Sequence, residues 1–170
     1  MLVLGSLPGE ASLSAQRYYA HPRNQFWALA GAVIGRDDLP ALAYAERLAA
    51  LLRNGVGLWD VVRSGKREGS LDAALREVEG NDLAALAARL PTLRAIGFNG
   101  ATAARIGRRQ LGGSETGLPG DPATQSSASE TIAPKAVTLI DLPSSSPAYA
   151  ALPFAGKQER WLALRRFLYE

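Results

Sequence analysis

Polar side chains follow short apolar runs at four places in the sequence. These places read "GSLPG" at 5–9, "DVVRSG" at 60–65, "NGA" at 99–101 and "PSSSP" at 143–147. Together they supply a carboxylate, a carboxamide, hydroxyls and backbone amides, which are groups that bind phosphates and the edges of bases. The four stretches therefore predict a polar binding site, provided that the fold brings them together.

A fifth stretch, "YYAHPRNQFW" at 18–27, is named here the aromatic segment. In it, Tyr19 can offer a flat ring face to a base. Asn24 lies where a helix cap belongs, although its carboxamide can instead hold a water molecule or a base edge. His21 is either a hydrogen-bonded loop histidine or an accessory catalyst. Phe26 opens a helical apolar pattern and is predicted to be part of the core.

Two of the apolar runs end on candidate recognition groups. Asp60 must be paired or hydrogen-bonded, either to Arg63 or Arg67 or to an N–H group of a ligand. Asn99 either forms a turn or binds a ligand. Gly5, at the start of the first turn (5–9), permits a close approach to its backbone.

The serine loop (143–147) has two readings. Its composition alone is that of a surface linker. Its position, however, is after an apolar run and before a basic amphipathic helix, and serine hydroxyls and loop amides contact nucleic-acid phosphates without reading sequence. Lys157 on that helix is predicted to extend the same positive surface.

Continuously apolar runs alternate with amphipathic segments along the chain. Strands are predicted at 2–8, 56–62, 93–100 and 135–143, and helices at 24–35, 40–55, 71–80, 82–90, 101–113 and 156–170. Apolar strands of this kind are buried on both faces, so the pattern predicts a three-layer α/β/α sandwich around a central four-stranded parallel sheet. Ligands of such sheets gather beyond the carboxyl ends of the strands, where the polar stretches fall.

Composition limits the classes of function. The 170 residues suit one domain over 1–170, and the Gly, Pro, Ser and Thr content of 112–131 predicts a mobile loop. With no cysteine and one histidine, the chain cannot form disulfides or cysteine- and histidine-rich metal sites, so no metal or cofactor is predicted. The absence of a bilayer-length apolar run and of a signal peptide predicts a soluble, cytoplasmic, nucleoid-associated protein. The net charge of +3 is compatible with a nucleic-acid partner.

Taken together, the motifs resemble those of the uracil-DNA glycosylase superfamily. "GSLPG" resembles its first motif, and "YAHPRNQFW" resembles the segment that follows it in the mismatch-specific uracil/thymine branch. "GVGLWDVV" resembles the strand that ends beside the flipped base, and "LPSSSPA" resembles the second motif, a loop that wedges into DNA. The branch with the most similar motifs is that of the hypoxanthine-DNA glycosylases, also called DNA-deoxyinosine glycosylases. Order and spacing match over nearly the whole chain.

Two positions depart from the family's pattern. Many relatives have Asn or Asp at the position of Leu7, where it positions water, and a histidine at the position of Leu142. The resemblance to the hypoxanthine branch implies that Asn24 takes over catalysis. It also implies that Tyr19 stacks on the extruded base and that Asp60 lies near the base-recognition position.

The resemblance assigns the remaining site residues to two sets. The base-binding set is Gly5, Ser6, Leu7, Tyr19, Phe26, Asp60 and Asn99. The DNA-binding set is Pro143, Ser144, Ser145, Ser146, Pro147 and Lys157, with His21 as an accessory residue.

The implied activity is that of a DNA repair glycosylase, which flips a deaminated base out of the duplex and hydrolyses its N-glycosidic bond. Hypoxanthine is the predicted base, and the enzyme is predicted to be monofunctional because no motif places a lysine for attack on the sugar. Two alternatives stay open: a uracil- or mismatch-specific glycosylase, and a non-catalytic DNA-damage-binding module of the same fold. A serine hydrolase is disfavoured because the chain lacks a G-x-S-x-G elbow. The predicted partner is DNA containing a deaminated base, with no membrane and with the protein acting as a monomer.

Overall fold

The structure, a computed structural model, describes residues 1–67, 75–112 and 137–168. Within these ranges the strands are β1 (Leu2–Gly5), β2 (Gly57–Asp60), β3 (Val62–Lys66), β4 (Arg76–Gly80), β5 (Ala95–Asn99) and β6 (Thr138–Leu142). Four of them form a parallel sheet in the order β2-β1-β5-β6, while β3 and β4 pair as a separate antiparallel hairpin. The predicted four-stranded parallel sheet is therefore confirmed.

Helices cover both faces of the parallel sheet. They are α1 (Glu10–Ala15), α2 (Phe26–Ile34), α3 (Tyr44–Arg53), α4 (Leu83–Ala88), α5 (Ala101–Gln110) and α6 (Phe154–Trp161), with 3-10 turns at Leu39–Ala41 and Leu162–Phe167. Successive strand residues point to opposite faces. Accordingly, Val3 packs in a buried cluster with side chains of α2, α3 and α6, whereas Leu2 and Leu4 pack in a second cluster with those of α4 and α5. The predicted three-layer α/β/α architecture is confirmed.

The register of the sheet aligns the carboxyl ends of its strands. Gly5 at the end of β1 lies opposite Asp60 at the end of β2. On the other side, Asn99 at the end of β5 lies opposite Leu142 at the end of β6. Because all four strands run in one direction, the loops that follow them leave from the same edge of the sheet.

The β3–β4 hairpin overturns one prediction. A helix was predicted at 71–80 and a polar loop before it, but 76–80 is a strand paired with β3. Charged side chains on the two strands face each other, with Lys66 Nζ 2.7 Å from Glu77 Oε2 and Arg63 Nη1 3.5 Å from Glu79 Oε1. Opposite charges across a pair of strands favour this pairing, and the local helical spacing of apolar residues could not reveal it.

Other elements differ from the predictions in their bounds. Helix α1 was not predicted, and the predicted helix 40–55 starts as a 3-10 turn and becomes regular only at Tyr44. Leu52 in α3 is 75% exposed although it directly follows the buried Leu51. The loop predicted to be mobile lies outside the described residues from position 113 onward. No helix in the described ranges has the length and apolar character needed to cross a membrane.

Candidate active site

Two polar groups converge on Gly5 at the end of β1. A Cβ atom added to Gly5 would lie 2.6 Å from Asp60 Oδ1 and 3.2 Å from the Tyr19 hydroxyl. Glycine is required here because any side chain would overlap the carboxylate. Asp60 and Tyr19, which are 41 positions apart in the sequence, thus face the same small patch of backbone.

The two candidate partners of Asp60 contact other groups as well. Arg63 bonds to Glu79 on the hairpin. Arg67 donates hydrogen bonds to the carbonyl oxygens of Leu7 and Pro8, at 3.3 and 2.7 Å, and these bonds hold the first turn (5–9) in place. The pKa of Tyr18 is raised to about 12. Burial of the phenol is the largest cause, the negative charge of Asp60 is the second and the charge of Tyr44 is the third.

Tyr19 forms a platform that is backed by Phe26. The two rings are stacked with centroids 3.8 Å apart and planes 9° apart. Phe26 is fully buried, and its edges meet Trp27 and Trp161 in T-shaped contacts. Phe26 was predicted to bind the base, but in this structure it lies behind Tyr19. Tyr19 itself has a φ of 52°, an unusual conformation for a residue with a side chain, and such strain often marks functional sites.

Asn99 ties this platform to the serine loop. Its Oδ1 accepts a hydrogen bond from the Ser145 N–H at 2.8 Å, and its Nδ2 donates to Ser145 Oγ at 2.9 Å and to the Tyr19 hydroxyl at 3.2 Å. Asn99 is 8% exposed and Ser145 is 1% exposed. These contacts are those of a buried clamp between β5 and the serine loop, and the predicted binding of the base by Asn99 stays a prediction.

The serine loop is a fixed structure rather than a linker. The Pro143 carbonyl accepts from Trp161 Nε1 at 2.9 Å, and the Ser145 carbonyl accepts from the Gln25 N–H at 3.0 Å. Within the loop, Ser144 Oγ accepts from the Ser146 N–H. Leu142, Pro143 and Ser145 are buried and Pro147 is exposed, so the tip of the loop is the part that faces solvent.

Asn24 lies one residue before Gln25, which occupies the N-cap position of α2, so the predicted N-cap role is wrong by one residue. Its Oδ1 accepts from the Phe26 N–H at 2.9 Å, which is the hydrogen bond of an Asx turn. A carboxamide oxygen has two lone pairs, so one remains available. Within the described part of the chain, Nδ2 of Asn24 makes no hydrogen bond. This half-buried side chain is therefore equipped to hold a further small molecule.

A cleft of about 510 Å³ opens beside the aromatic segment. Among the residues that line it are Tyr19, His21, Asn24, Arg47 and Phe154. His21 Nδ1 accepts from the Arg23 N–H at 3.2 Å, so it is a hydrogen-bonded loop histidine whose other ring nitrogen is not engaged by described residues. The cleft is large enough for several water molecules next to Asn24.

Lys157 is not on the surface, contrary to the prediction of a phosphate contact. It is 2% exposed, and its Nζ donates to Gln25 Oε1 at 2.9 Å and to the Ser146 carbonyl at 3.5 Å. Burial lowers the pKa of its ammonium group. Lys157 therefore lies beneath the serine loop and contacts it from inside.

The structure gathers most of the predicted residues and adds several that were missed. Gly5, Tyr19, Asp60, Asn99 and Ser145 come together, with Ser6, 9% exposed, directly after Gly5. The missed residues are Gln25 and Trp161, and Arg67 was considered only as a partner of Asp60. Each of the three supports a loop through a hydrogen bond to the backbone of that loop. Only the adjacency of Gln25 to Asn24 could have drawn attention to it. Among the described residues, no group of three or more His, Cys, Asp or Glu side chains could hold a metal ion.

Comparison with known proteins places this geometry in context. A model of the uracil DNA glycosylase superfamily matches residues 1–165. Two curated relatives, both named hypoxanthine DNA glycosylase, come from Methanosarcina barkeri and Methanosarcina acetivorans. They are 47% and 46% identical over 100 residues, which is 59% of this chain and 63% of each relative. The chain thus spans less than two thirds of the length of the curated relatives it matches.

A solved structure resembles the whole chain. It is the solution NMR structure of a Methanosarcina acetivorans protein provisionally described as a uracil DNA glycosylase. Its TM-score is 0.73 at 34% identity, with 98% of this chain and 89% of that chain covered.

Proposed function

Because the chain belongs to the uracil DNA glycosylase superfamily, we propose that it is a monofunctional DNA glycosylase that removes a deaminated base, with hypoxanthine preferred. The observation that carries this proposal is the convergence of the Asp60 carboxylate and the Tyr19 hydroxyl on Gly5 at the carboxyl edge of the sheet. The preference for hypoxanthine is supported by the two relatives of that name.

The chemistry of Asp60 fits a deaminated base. Hypoxanthine carries an N1–H donor where adenine carries a lone pair, and a carboxylate accepts only from the former. Adenine in the same place would set a lone pair against a negative charge, which discriminates by repulsion. Uracil and xanthine also present ring N–H donors, and so do guanine and thymine. This group therefore explains discrimination against adenine and cytosine, the bases whose deamination gives hypoxanthine and uracil.

Tyr19 would hold the extruded base in place. Stacking of a base on an aromatic side chain stabilises the flipped state by about 1–3 kcal/mol. Flipping itself costs a few kcal/mol and least at an imperfect pair, such as one that contains inosine. A ring that is already fixed between Phe26 and Asn99 loses little further freedom when the base arrives.

Asn24 is assigned the role of holding the attacking water. The free lone pair of Oδ1 can accept one water hydrogen and so orient the water oxygen toward C1′ of the sugar. The new C1′–O bond forms as the bond from C1′ to N9 of the purine breaks, and the electron pair of that bond leaves with the purine. The water then releases a proton to solvent, and the purine anion takes one up.

The serine loop would grip the strand while the base is out of the stack. The half-buried Ser144 and Ser146 offer hydroxyls suited to phosphates. The buried part of the loop is anchored to Asn99, Gln25 and Trp161. The DNA phosphates also favour the positive charge that develops on the sugar during bond cleavage.

Two other functions are favoured by specific observations. The name of the structural relative favours a uracil or mismatch-specific enzyme. Leu7 and Leu142, which replace the catalytic residues of many family members, favour a DNA-damage-binding module without activity.

Cleavage of defined duplexes tests the proposal. Duplexes with one deoxyinosine, deoxyuridine or deoxyxanthosine are incubated with the protein and then treated with alkali, which cuts at abasic sites. We expect cutting at deoxyinosine fastest, none at deoxyadenosine, and none anywhere before alkali. Faster cutting at deoxyuridine supports the uracil enzyme. Salt-dependent binding with all strands intact means that the protein is a binding module and that the proposal is wrong.

A further inference from the structure

A buried ammonium group lies directly beneath the serine loop. Lys157 leaves α6 with its side chain fully enclosed, and its Nζ faces Gln25 Oε1 at 2.9 Å, the Ser146 carbonyl at 3.5 Å and the Tyr149 ring centre at 5.2 Å. An ammonium carries three hydrogens, so all three neighbours can be served at once. In the described ranges, no carboxylate forms an ion pair with Lys157.

A buried cation without a counter-ion is a poor device for stability. Removing an ammonium from water is costly, and apolar side chains of similar volume often serve a fold equally well or better. A methionine could fill the space of the Lys157 stem. The charge and the donors therefore point to a role other than support of the core.

The partners of Lys157 indicate what that role is. Gln25 neighbours Asn24, and its N–H donates to the Ser145 carbonyl. Ser146 belongs to the serine loop. One side chain on α6 thus contacts both the serine loop and Gln25, the chain neighbour of the residue assigned to the water.

We propose that Lys157 is a positioning residue that holds the serine loop and the Asn24–Gln25 backbone in one fixed arrangement, without touching DNA. The kinetic part of this inference rests on the proposed function. Lys157 acts through Gln25 and Ser146, so its loss should misplace the loop relative to Asn24 and leave the number of phosphate contacts unchanged.

The substitution Lys157→Met tests this role, with Arg160→Met as its matched control. Arg160 is an exposed cation on the same helix, so the control removes the same charge without the buried contacts. We expect Lys157→Met to keep or raise the melting temperature. Amide exchange at 24–26 and 144–146 should become at least tenfold faster, while in Arg160→Met it should match the wild type.

Kinetics on the deoxyinosine duplex add a second readout. For Lys157→Met we expect a single-turnover rate at saturating protein that is lower by tenfold or more. The slope of log Kd against log salt concentration should stay unchanged. A slope smaller by about one would instead indicate a lost phosphate contact and would overturn the inference. If amide hydrogen exchange at 24–26 and 144–146 in Lys157→Met matches that of the wild type, the inference is overturned as well.

The outcomes separate this inference from the proposed function. If the wild-type protein excises no base, the proposed function fails, but the exchange data and the salt slope still decide the role of Lys157. If Lys157→Met does not fold, Gln25→Glu replaces it. That change puts a carboxylate beside the Lys157 ammonium, so amide hydrogen exchange at 144–146 should become slower. Exchange that is not slower would contradict the inference.

Discussion

Asn99 and Ser145 form a reciprocal buried pair that joins the end of β5 to the serine loop. The Asn99 carboxamide accepts from the Ser145 N–H at 2.8 Å and donates to Ser145 Oγ at 2.9 Å. The same amide reaches the Tyr19 hydroxyl at 3.2 Å. The loop proposed to grip DNA and the ring proposed to hold the base are therefore set by one side chain.

Replacement of Asn99 should cost more than replacement of its partner. Asn99→Ala leaves the buried Ser145 N–H and Oγ without partners, and each buried unsatisfied group costs about 1–3 kcal/mol. Ser145→Ala removes only an acceptor of one Asn99 hydrogen, so we expect a loss of about 1 kcal/mol. Urea unfolding of both variants measures the difference. Equal losses would show that the loop is held by other contacts, such as those of Pro143 and Gln25.

The space in front of Gly5 makes it sensitive to a single methyl group. In Gly5→Ala the new Cβ would lie 2.6 Å from Asp60 Oδ1, so the carboxylate must move. We expect a folded protein whose cleavage of deoxyinosine duplexes is slower by tenfold or more. Gly156→Ala on α6 is the matched control because its Cβ would meet nothing closer than 3.6 Å. That helical change should raise stability by about 0.5–1 kcal/mol and leave cleavage unchanged, since alanine is the better helix former.

The sequence predicts the part of the site that follows from strand order. Alternation of apolar runs and helices is sufficient to place Gly5, Asp60 and Asn99 at one edge of a parallel sheet, because the direction of the strands fixes where their ends lie. The structure adds the strand register, which pairs Asp60 directly with Gly5.

The parts that the sequence does not predict depend on contacts between distant residues. Lys157 has the local pattern of a solvated helix charge, and only its packing against Gln25, which is 132 positions away, reveals that it is buried. The β3–β4 hairpin depends on pairing between two strands, with opposite charges facing across it, and a sequence window that covers one strand cannot show that pairing. The start of α2 is local and was predicted to within two residues, but Gln25 rather than Asn24 occupies the N-cap position.

The ionisation of Tyr18 gives a prediction that is independent of DNA. Burial first, and then the charges of Asp60 and Tyr44, raise the pKa of this phenol to about 12 from 10.0. Below pH 10 the phenol is neutral in both the folded and the unfolded protein. Between pH 10 and 12 the unfolded chain ionises first, so stability should fall as pH rises through this window. In Tyr18→Phe the fall should be smaller, and a tyrosinate absorbance step near pH 12 should be missing. An unaltered titration curve would contradict the assignment.

Three substitutions of Asn24 separate its turn hydrogen bond from its chemistry. Asn24→Ala removes the acceptor of the Phe26 N–H, so we expect stability to fall by about 0.5–1.5 kcal/mol and cleavage to be lost. Asn24→Ser can form the same turn bond more weakly through its hydroxyl, so we expect near wild-type stability with cleavage lost, because the hydroxyl no longer reaches the water. Asn24→Asp keeps both the turn bond and an oxygen acceptor. If Asn24 acts by accepting a water hydrogen, Asn24→Asp should retain cleavage well above that of Asn24→Ser. Loss of cleavage in Asn24→Asp would mean that the Nδ2 donor is the essential group, and the water would then have to be held elsewhere.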